Sequence, residues 1–451
     1  MNLTGSGCEL HSLPINVPSG GAHSMQKIVE ANEIPILGNY DVIVAGGGPA
    51  GVGTAISAAR HGMKVLVVER FGCLGGMWTA GLVNPLFDYE NKGGIVQEIV
   101  DRINALGMNS HSGPMYTFDM ETMKLLLDRF MTENGIDVLF HTFVAKPYME
   151  GNTVRGLFTE NKSGRGLYLA KRLVDCTGDG DVAARAGVPY TVGRPGDSAC
   201  QPMTTMFKIG NADYVQRYDY PYGNGNELFD MMKSAVKREG IEYDFNFERP
   251  CLLNLPGNHT GVMQMTHMRG YDPLDAVSIS KAEMEGRERV FEAMRFFKAY
   301  LPQFEHAQLE QTAQMIGIRE SRHITGEYQL TLEDMLAGRH FDDGFATCCF
   351  NVDIHQPDGK SQEEAGQYQI KPYQIPYRCL VPLHAENLLV AGRAISGSFE
   401  AHASYRVTGD CVAMGQAAGI ACALSILNDR QLRKLNGELV AQTMKNDGAR
   451  V

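Results

Sequence analysis

The chain has 451 residues, with 41 Lys and Arg against 52 Asp and Glu, giving a formal net charge of -11. A chain of this length exceeds one small core and predicts about two or three domains. The acidic balance excludes a nucleic-acid or anionic-membrane surface, which would need clustered Lys and Arg, but still allows a small anionic substrate held by a few local arginines.

The first forty residues are rich in Gly, Ser, Pro and Asn, and their first Lys is Lys27. No basic segment precedes an apolar stretch, so no secretion signal is read there. Residues 1–38 are expected to form a peripheral extension, with a short helical turn over Gln26–Ala31. No apolar run is read as long enough to span a bilayer. The ten cysteines, from Cys8 to Cys422, include no C-x-x-C pair. They read as small buried hydrophobes in a reducing, cytoplasmic compartment.

From Asp41 to Arg70 the chain reads D-V-I-V-A-G-G-G-P-A-G-V-G-T-A-I-S-A-A-R-H-G-M-K-V-L-V-V-E-R. An apolar strand, Val42–Ala45, meets a glycine cluster, then an Ala-rich helix and a second apolar strand ending at Glu69. This is the pattern of a dinucleotide site. Gly46 permits the turn, Gly48 lets backbone approach a pyrophosphate, and Gly51 lets the helix pack closely. The helix N-terminus offers free N–H groups and a positive dipole end to phosphates. Glu69 is placed to accept hydrogen bonds from a ribose. Without the flanking strands, the glycines would equally describe a structural turn.

The next loop, Arg70 through Gly75, Gly76 and Met77 to Gly81, has glycines among apolar residues that allow backbone to lie along a flat ligand. Trp78, the only tryptophan, is expected in the core. Asp119–Asn134 has helical spacing, with Met120, Met123, Leu126, Leu127 and Phe130 on one side and Gly135 as the stop. Ile136–Val144 reads as one strand returning to the first sheet. Thr153–Thr159 and Gly166–Leu173 read as a hairpin, and the second arm runs into D-C-T-G-D-G-D from Asp175.

From about Pro195 the alternation of helix and strand loosens. Glu283–Tyr300 reads as an amphipathic helix, and Thr204–Ile209 and Phe345–Asn351 as strands. Arg319 and Arg322, three apart, form either an anion clamp or, with Glu320 and Glu327 nearby, a structural ion-pair network. The spacing of His267, His323 and His355 does not call for a metal, and none is expected. Sheet grammar returns at Asn387–Arg393. A helix follows over Val407–Leu427, its N-terminal end placed to face a cofactor's ring edge. His402 and Arg406, four apart ahead of that helix, are the first catalytic candidates, as acid or base and as cation. The alternative is a satisfied loop histidine and an ion-pairing arginine. No second strand-coupled G-x-G-x-x-G occurs.

Together, G-G-G-P-A-G with Glu69, G-G-M-W-T-A-G, D-C-T-G-D-G-D-V-A-A-R-A-G, G-I-R-E-S-R-H-I-T-G-E-Y-Q-L-T-L-E-D-M-L-A-G-R, I-P-Y-R-C-L-V-P and N-L-L-V-A-G-R followed by M-G-Q-A-A-G resemble the bacterial FAD-dependent oxidoreductase family, which is related to the glutathione-reductase-like flavoprotein fold. The resemblance covers roughly residues 40 to 430. It implies FAD, with Gly46, Gly48, Pro49, Ala50 and Gly51 at the pyrophosphate, Glu69 at the ribose and Val144 at the adenine. It further implies Thr177 and Gly178 near the diphosphate, and Gly392, Arg393, Gly415, Gln416 and Ala417 beside the ribityl and isoalloxazine. Many flavoproteins of this fold carry Gly-Asp where this chain has Gly392-Arg393, so Arg393 is a candidate phosphate contact instead.

The expected fold class is α/β: a Rossmann-like FAD-binding domain with a parallel sheet and β-hairpin crossover, plus an inserted α+β substrate domain. Its segments are residues 39–194 and 376–451 for the FAD-binding domain and 195–375 for the insert. The expected activity is hydride transfer between a small polar organic substrate and the flavin. A monooxygenase or oxidase, and a flavin subunit of an electron-transfer complex, are the alternatives. The expected partner is a small molecule, with neither nucleic acid nor membrane, and a homo-oligomer is left open.

Overall fold

The computed structural model describes residues 30–112, 115–212, 227–242, 250–257, 259–359 and 368–451. Cys8 and all but Glu30 and Ala31 of the expected Gln26–Ala31 turn lie outside them, and those two residues have no regular structure.

A seven-stranded mixed sheet carries the fold. Its order is Asp137–Leu139, Val65–Val68, Ile36–Ala45, Gly164–Asp175, Thr153–Asn161 and Phe143–Glu150, with Leu388–Val390 pairing parallel to the end of Gly164–Asp175. The strands around Ile36–Ala45 are parallel, while Phe143–Glu150, Thr153–Asn161 and Gly164–Asp175 form an antiparallel meander. Val42–Ala45 and Val65–Val68 are buried throughout. Both faces of a parallel sheet are covered, which explains continuous apolar runs where an exposed sheet would alternate.

Two helices meet with little side chain between them. A Cβ on Gly415, in the helix Thr408–Leu427, would lie 2.0 Å from the Ala50 carbonyl of the helix Pro49–Arg60. One on Gly419 would lie 2.2 Å from Ser57 Oγ, which itself donates to the Gln416 carbonyl at 2.8 Å. Thr408–Leu427 corrects one expectation from the sequence. Its 20 residues are long and apolar enough to cross a membrane, yet they lie buried at the centre of the protein.

A second, antiparallel sheet runs Cys251–Asn254, Gly261–Gln264, Phe207–Gly210, Gln308–Thr312. Its core joins Phe207, Ile209 and Met263 to Met232 of the helix Glu227–Glu239 and to Val290 and Phe297 of the helix Ala276–Tyr300. The core does not change hands at residue 375: Ile324, Met335, Phe345, Tyr373 and Ile375 already pack with the first sheet.

Local differences have local causes. The expected strand Ile136–Val144 is broken at His141, which has φ 50°. There the chain turns back, with the N–H groups of His141 and Thr142 donating to the carbonyls of Phe71 and Glu69. Thr204–Ile209 divides into Met203–Thr204 and Phe207–Gly210, because Thr205 N–H goes to Thr266 Oγ1 at 3.2 Å instead of to a ladder partner. The strand at Phe345 stops at Cys348, where the Thr347 carbonyl accepts from Lys92 and Cys349 N–H donates to Asp88 at 2.9 Å. Lys92 is buried, with Nζ 2.8 Å from Asp88 and 2.7 Å from Asp410. Burial opposes its charge, but the two carboxylates raise its pKa and keep it protonated. Trp78 is fully buried, edge-on to Phe118 at 6.1 Å, as expected of a core residue.

Candidate active site

The cleft, about 370 Å³ in volume, opens at the carboxyl ends of the parallel strands, where ligands sit in this architecture. Gly46 turns the chain out of its strand at φ 102°, and a Cβ on Gly51 would come within 1.9 Å of the Gly46 carbonyl. Gly48 caps the helix that follows without a side-chain hydrogen bond, and Pro49 opens it. The first N–H groups are therefore left for a phosphate. Gly46, Gly48, Pro49, Ala50, Glu69, Arg70, Gly76 and Met77 line the cleft, whereas Gly51 and Gly75 stand behind it as supports.

Glu69 accepts N–H bonds from Gly47 at 2.7 Å and Phe71 at 2.9 Å, one on each carboxylate oxygen. Each oxygen keeps acceptor capacity, enough for two neighbouring ribose hydroxyls. Burial raises the Glu69 pKa, against those N–H donors and Arg70. Val144 lines the cleft beside Thr142 and Phe143.

On the other side, Asp175 organises the D-C-T-G-D-G-D turn. It is buried and accepts from Thr177 N and Oγ1, Val182 N and Ala183 N at 2.7 to 3.1 Å. Burial raises its pKa and these donors oppose the rise. Thr177, Gly178 and Asp179 are thereby held at the cleft wall. Arg393 reaches the same wall, but its Nη2 meets Asp179 Oδ1 at 2.5 Å and its Nη1 meets Ser321 Oγ at 3.2 Å. The guanidinium is thus anchored to a carboxylate, and Gly392 lines the cleft beside it.

Gly415, Gln416 and Ala417 depart from the expected placement. They are not in the cleft lining but in the helix contact, and Gln416 Oε1 accepts from Ile95 N at 3.2 Å. The same helix touches the cleft at its N-terminal end through Thr408 and Cys411. Its first residues face the cavity because Gly409 is wedged against the carbonyls of Phe87 and Asp88.

The four catalytic candidates separate. Arg319 and Arg322 form no clamp. Arg319 donates to the Pro202 carbonyl and Thr204 Oγ1 and approaches His267 Nε2 at 3.2 Å, whereas Arg322 donates to the Asp179 carbonyl and Asp181 and lies over the Tyr190 ring. Arg319 lies in irregular chain, whereas Arg322 opens the strand Arg322–Ile324. His402, on the short helix Phe399–Tyr405, is 1% exposed and sits behind the cleft lining, not in it. Burial and the neighbouring His323 and Arg406 depress its pKa, so the ring is neutral. Arg406 does line the cleft. Its Nη2 donates to the Asp353 carbonyl at 2.7 Å and lies 3.3 Å from the Asp353 carboxylate. Its Nη1 is buried and has no hydrogen-bond partner among the described residues.

Asp175, Asp179 and Asp353 are the organising residues that sequence reasoning left without a role. Asp175 carried a signal, since an acidic residue just before a strand-end Thr-Gly can cap the following turn. Asp353 lies in a segment without periodicity and carried none.

A model of the family described as FAD dependent oxidoreductase matches residues 41–444. Among curated proteins, dihydrolipoyl dehydrogenase of Trypanosoma brucei brucei is 55% identical over 42 residues, 9% of each chain. Thiamine thiazole synthase of Aeropyrum pernix is 29% identical over 160 residues, 32% of this chain and 57% of that one. These matches span only part of either relative. A solved structure of the myxobacterial chondrochloren halogenase is 13% identical, with a TM-score of 0.48, over 90% of this chain and 78% of that one. The residues of the cleft fit FAD: a glycine turn with no Cβ in the way, an uncapped helix N-terminus and a carboxylate with free acceptor sites. With nearly the whole length matched, the chain belongs to the FAD dependent oxidoreductase family and is an enzyme with an FAD-dependent redox role.

Proposed function

We propose that this enzyme moves a hydride between a small polar organic substrate and the flavin. The observation that carries this reading is Arg406: a buried guanidinium on the cleft wall, with one face fixed by Asp353 and Nη1 unpartnered. A buried donor without a partner is costly unless a ligand completes it. A carboxylate, or the oxygen of a polarised C–O bond, supplies that partner and is held in one orientation.

FAD, when bound, supplies a two-electron acceptor and donor at its ring. The chain does the rest. The helix beginning at Pro49 and the turn at Gly46 to Gly48 hold the diphosphate end, and Glu69 holds the ribose. Asp175 braces Thr177 and Gly178, and Asp179 fixes Arg393 at the wall. Met315 and Ile318 close one side of the cleft and exclude water there. On this reading residues 195–375 supply the substrate-facing cover, since Met315 and Ile318 belong to that stretch.

The test is an anaerobic titration of the FAD-loaded enzyme with small carboxylates and their alcohol or amine relatives, followed by flavin absorbance and then by admission of air. Bleaching by one substrate class, lost in Arg406→Ala with FAD retained, supports the reading. Oxygenated product appearing when air is admitted replaces it with a monooxygenase.

A further inference from the structure

Behind the Arg406 wall lies a side-chain cluster that the proposed reaction does not use. Glu320, His323 and His402 come from two distant segments, are 0%, 3% and 1% exposed, and bring one potential ligand atom each to within 4.8 Å of the others. His323 Nδ1 faces only the Gly397 carbonyl, at 3.1 Å. A carbonyl accepts, so Nδ1 carries the hydrogen, and the Nε2 lone pair of a neutral ring would then face Glu320 Oε1 at 3.0 Å. Two acceptors at that distance require a positive centre between them. A proton on Nε2 satisfies Glu320 and His323 alone. It does nothing for His402, whose ring lies tilted against that of His323 with centroids 4.6 Å apart and whose buried Nδ1 has no hydrogen-bond partner among the described residues.

We infer that Glu320, His323 and His402 form a binding site for a divalent first-row transition cation of the Fe2+ class. Bound at about 2.1 Å, adjacent ligands of a six-coordinate ion stand about 3 Å apart and opposite ones about 4.2 Å; here Glu320 Oε1 and His323 Nε2 are 3.0 Å apart and all three ligand atoms lie within 4.8 Å of one another. Two imidazoles and one carboxylate with no thiolate favour such an ion over Ca2+ or Mg2+, which take oxygen ligands, and they leave coordination positions open. The surroundings are those of a ligand set: the Gly397 carbonyl orients His323, and Gln201 N–H donates to the second Glu320 oxygen at 3.0 Å. The other acidic cluster of the described residues, Asp88, Cys348 and Asp410, already holds Lys92 Nζ against both its carboxylates.

The site does not depend on the hydride-transfer reading, and its test needs no substrate. The full-length, FAD-loaded protein is stripped with chelator and titrated anaerobically with Co2+, following metal content and the visible ligand-field bands. One Co2+ per chain is expected, displaced by Fe2+, and Glu320→Gln and His402→Ala should each weaken binding by at least about 100-fold while keeping FAD. His267→Asn, at the separate His267–His355 stack, should keep the full equivalent. Absence of a stoichiometric site in the wild type, or equal binding by His402→Ala, overturns the inference. Should either variant lose FAD, X-ray absorption fine structure on the wild-type Co2+ form decides: two imidazole nitrogens support the site, and an all-oxygen shell sinks it.

Discussion

The nucleotide half and the second sheet are both layered α/β structure, yet they close by different rules. Around the cleft, backbone meets backbone: Gly51 against Gly46, and Gly415 and Gly419 against the first helix. In the second sheet large side chains fill the space, with Phe297 stacked on Phe304 at 4.9 Å and Met232 and Met263 between sheet and helices. Backbone contact admits one residue type at fixed positions, whereas side-chain filling admits many combinations of equal volume. The first region is therefore intolerant and recognisable, and the second tolerant and nearly anonymous.

Substitution puts that contrast at risk most directly. Gly415→Val places a branched side chain where a Cβ alone would sit 2.0 Å from a carbonyl. It should cost about 3 kcal/mol or more, seen as a large fall in melting temperature and loss of bound flavin. Met263→Leu, fully buried in the second sheet, should cost less than about 1.5 kcal/mol; equal losses for the two would erase the distinction. Arg406→Ala should lower kcat/KM on the order of 100-fold, with FAD content unchanged, and Arg406→Lys should recover only part because one fork of donors is lost. Glu69→Gln keeps the shape but replaces one acceptor oxygen with an NH2 donor, and should weaken FAD about tenfold by isothermal titration.

A smaller effect sharpens the picture at the Arg406 wall. Burial works to raise the Asp353 pKa, but His355, Arg406 and Arg319 beside it more than offset this and hold the carboxylate below its usual range. A depressed carboxylate stabilises the fold above its unfolded pKa and loses that contribution as pH falls through the folded one. The excess stability of the wild type over Asp353→Asn should thus be full at neutral pH and shrink below about pH 4. A gap that widened in acid would contradict the charge assignment. Smallest of all, Leu427→Gln, 65% exposed at a helix end, should change stability by no more than about 0.5 kcal/mol.

The same rule explains what could be read without coordinates. The strand, turn, helix and strand from Val42 to Glu69 were legible because glycine spacing and continuous apolar runs are dictated by contact, although the first strand begins earlier, at Ile36. So were the helix read over Asp119–Asn134, found as Met120–Glu133 with Asp119 accepting from Thr122 N at 2.7 Å, and the hairpin of Thr153–Thr159 and Gly166–Leu173, whose second arm runs on to Asp175. Thr177 and Gly178 were legible as a ligand position from their place at the end of a parallel strand, whereas cleft lining by Gly392 and Arg393 was legible only through resemblance. The placement of Gly415, Gln416 and Ala417 was misjudged because small residues suit a ligand and a helix contact equally well. His402 was noticed but set on the wrong side of the wall, since a four-residue spacing fixes a shared helix face and not what that face meets. Arg319 and Arg322 lie outside any helix, so their three-residue spacing predicted nothing about direction.

The Leu388–Val390 strand, Gly392 and the helix Thr408–Leu427 complete a cleft that begins at Gly46, so one wall is synthesised long after the other. A nascent chain shows its glycine turn well before this, but until the helix Thr408–Leu427 has emerged, the first helix exposes Ala50, Thr54 and Ser57 to whatever is nearby. Flavin binding should then require the second wall, and chains truncated before Thr408 would be expected to stay colourless, with the face of the first helix uncovered for chaperones to guard.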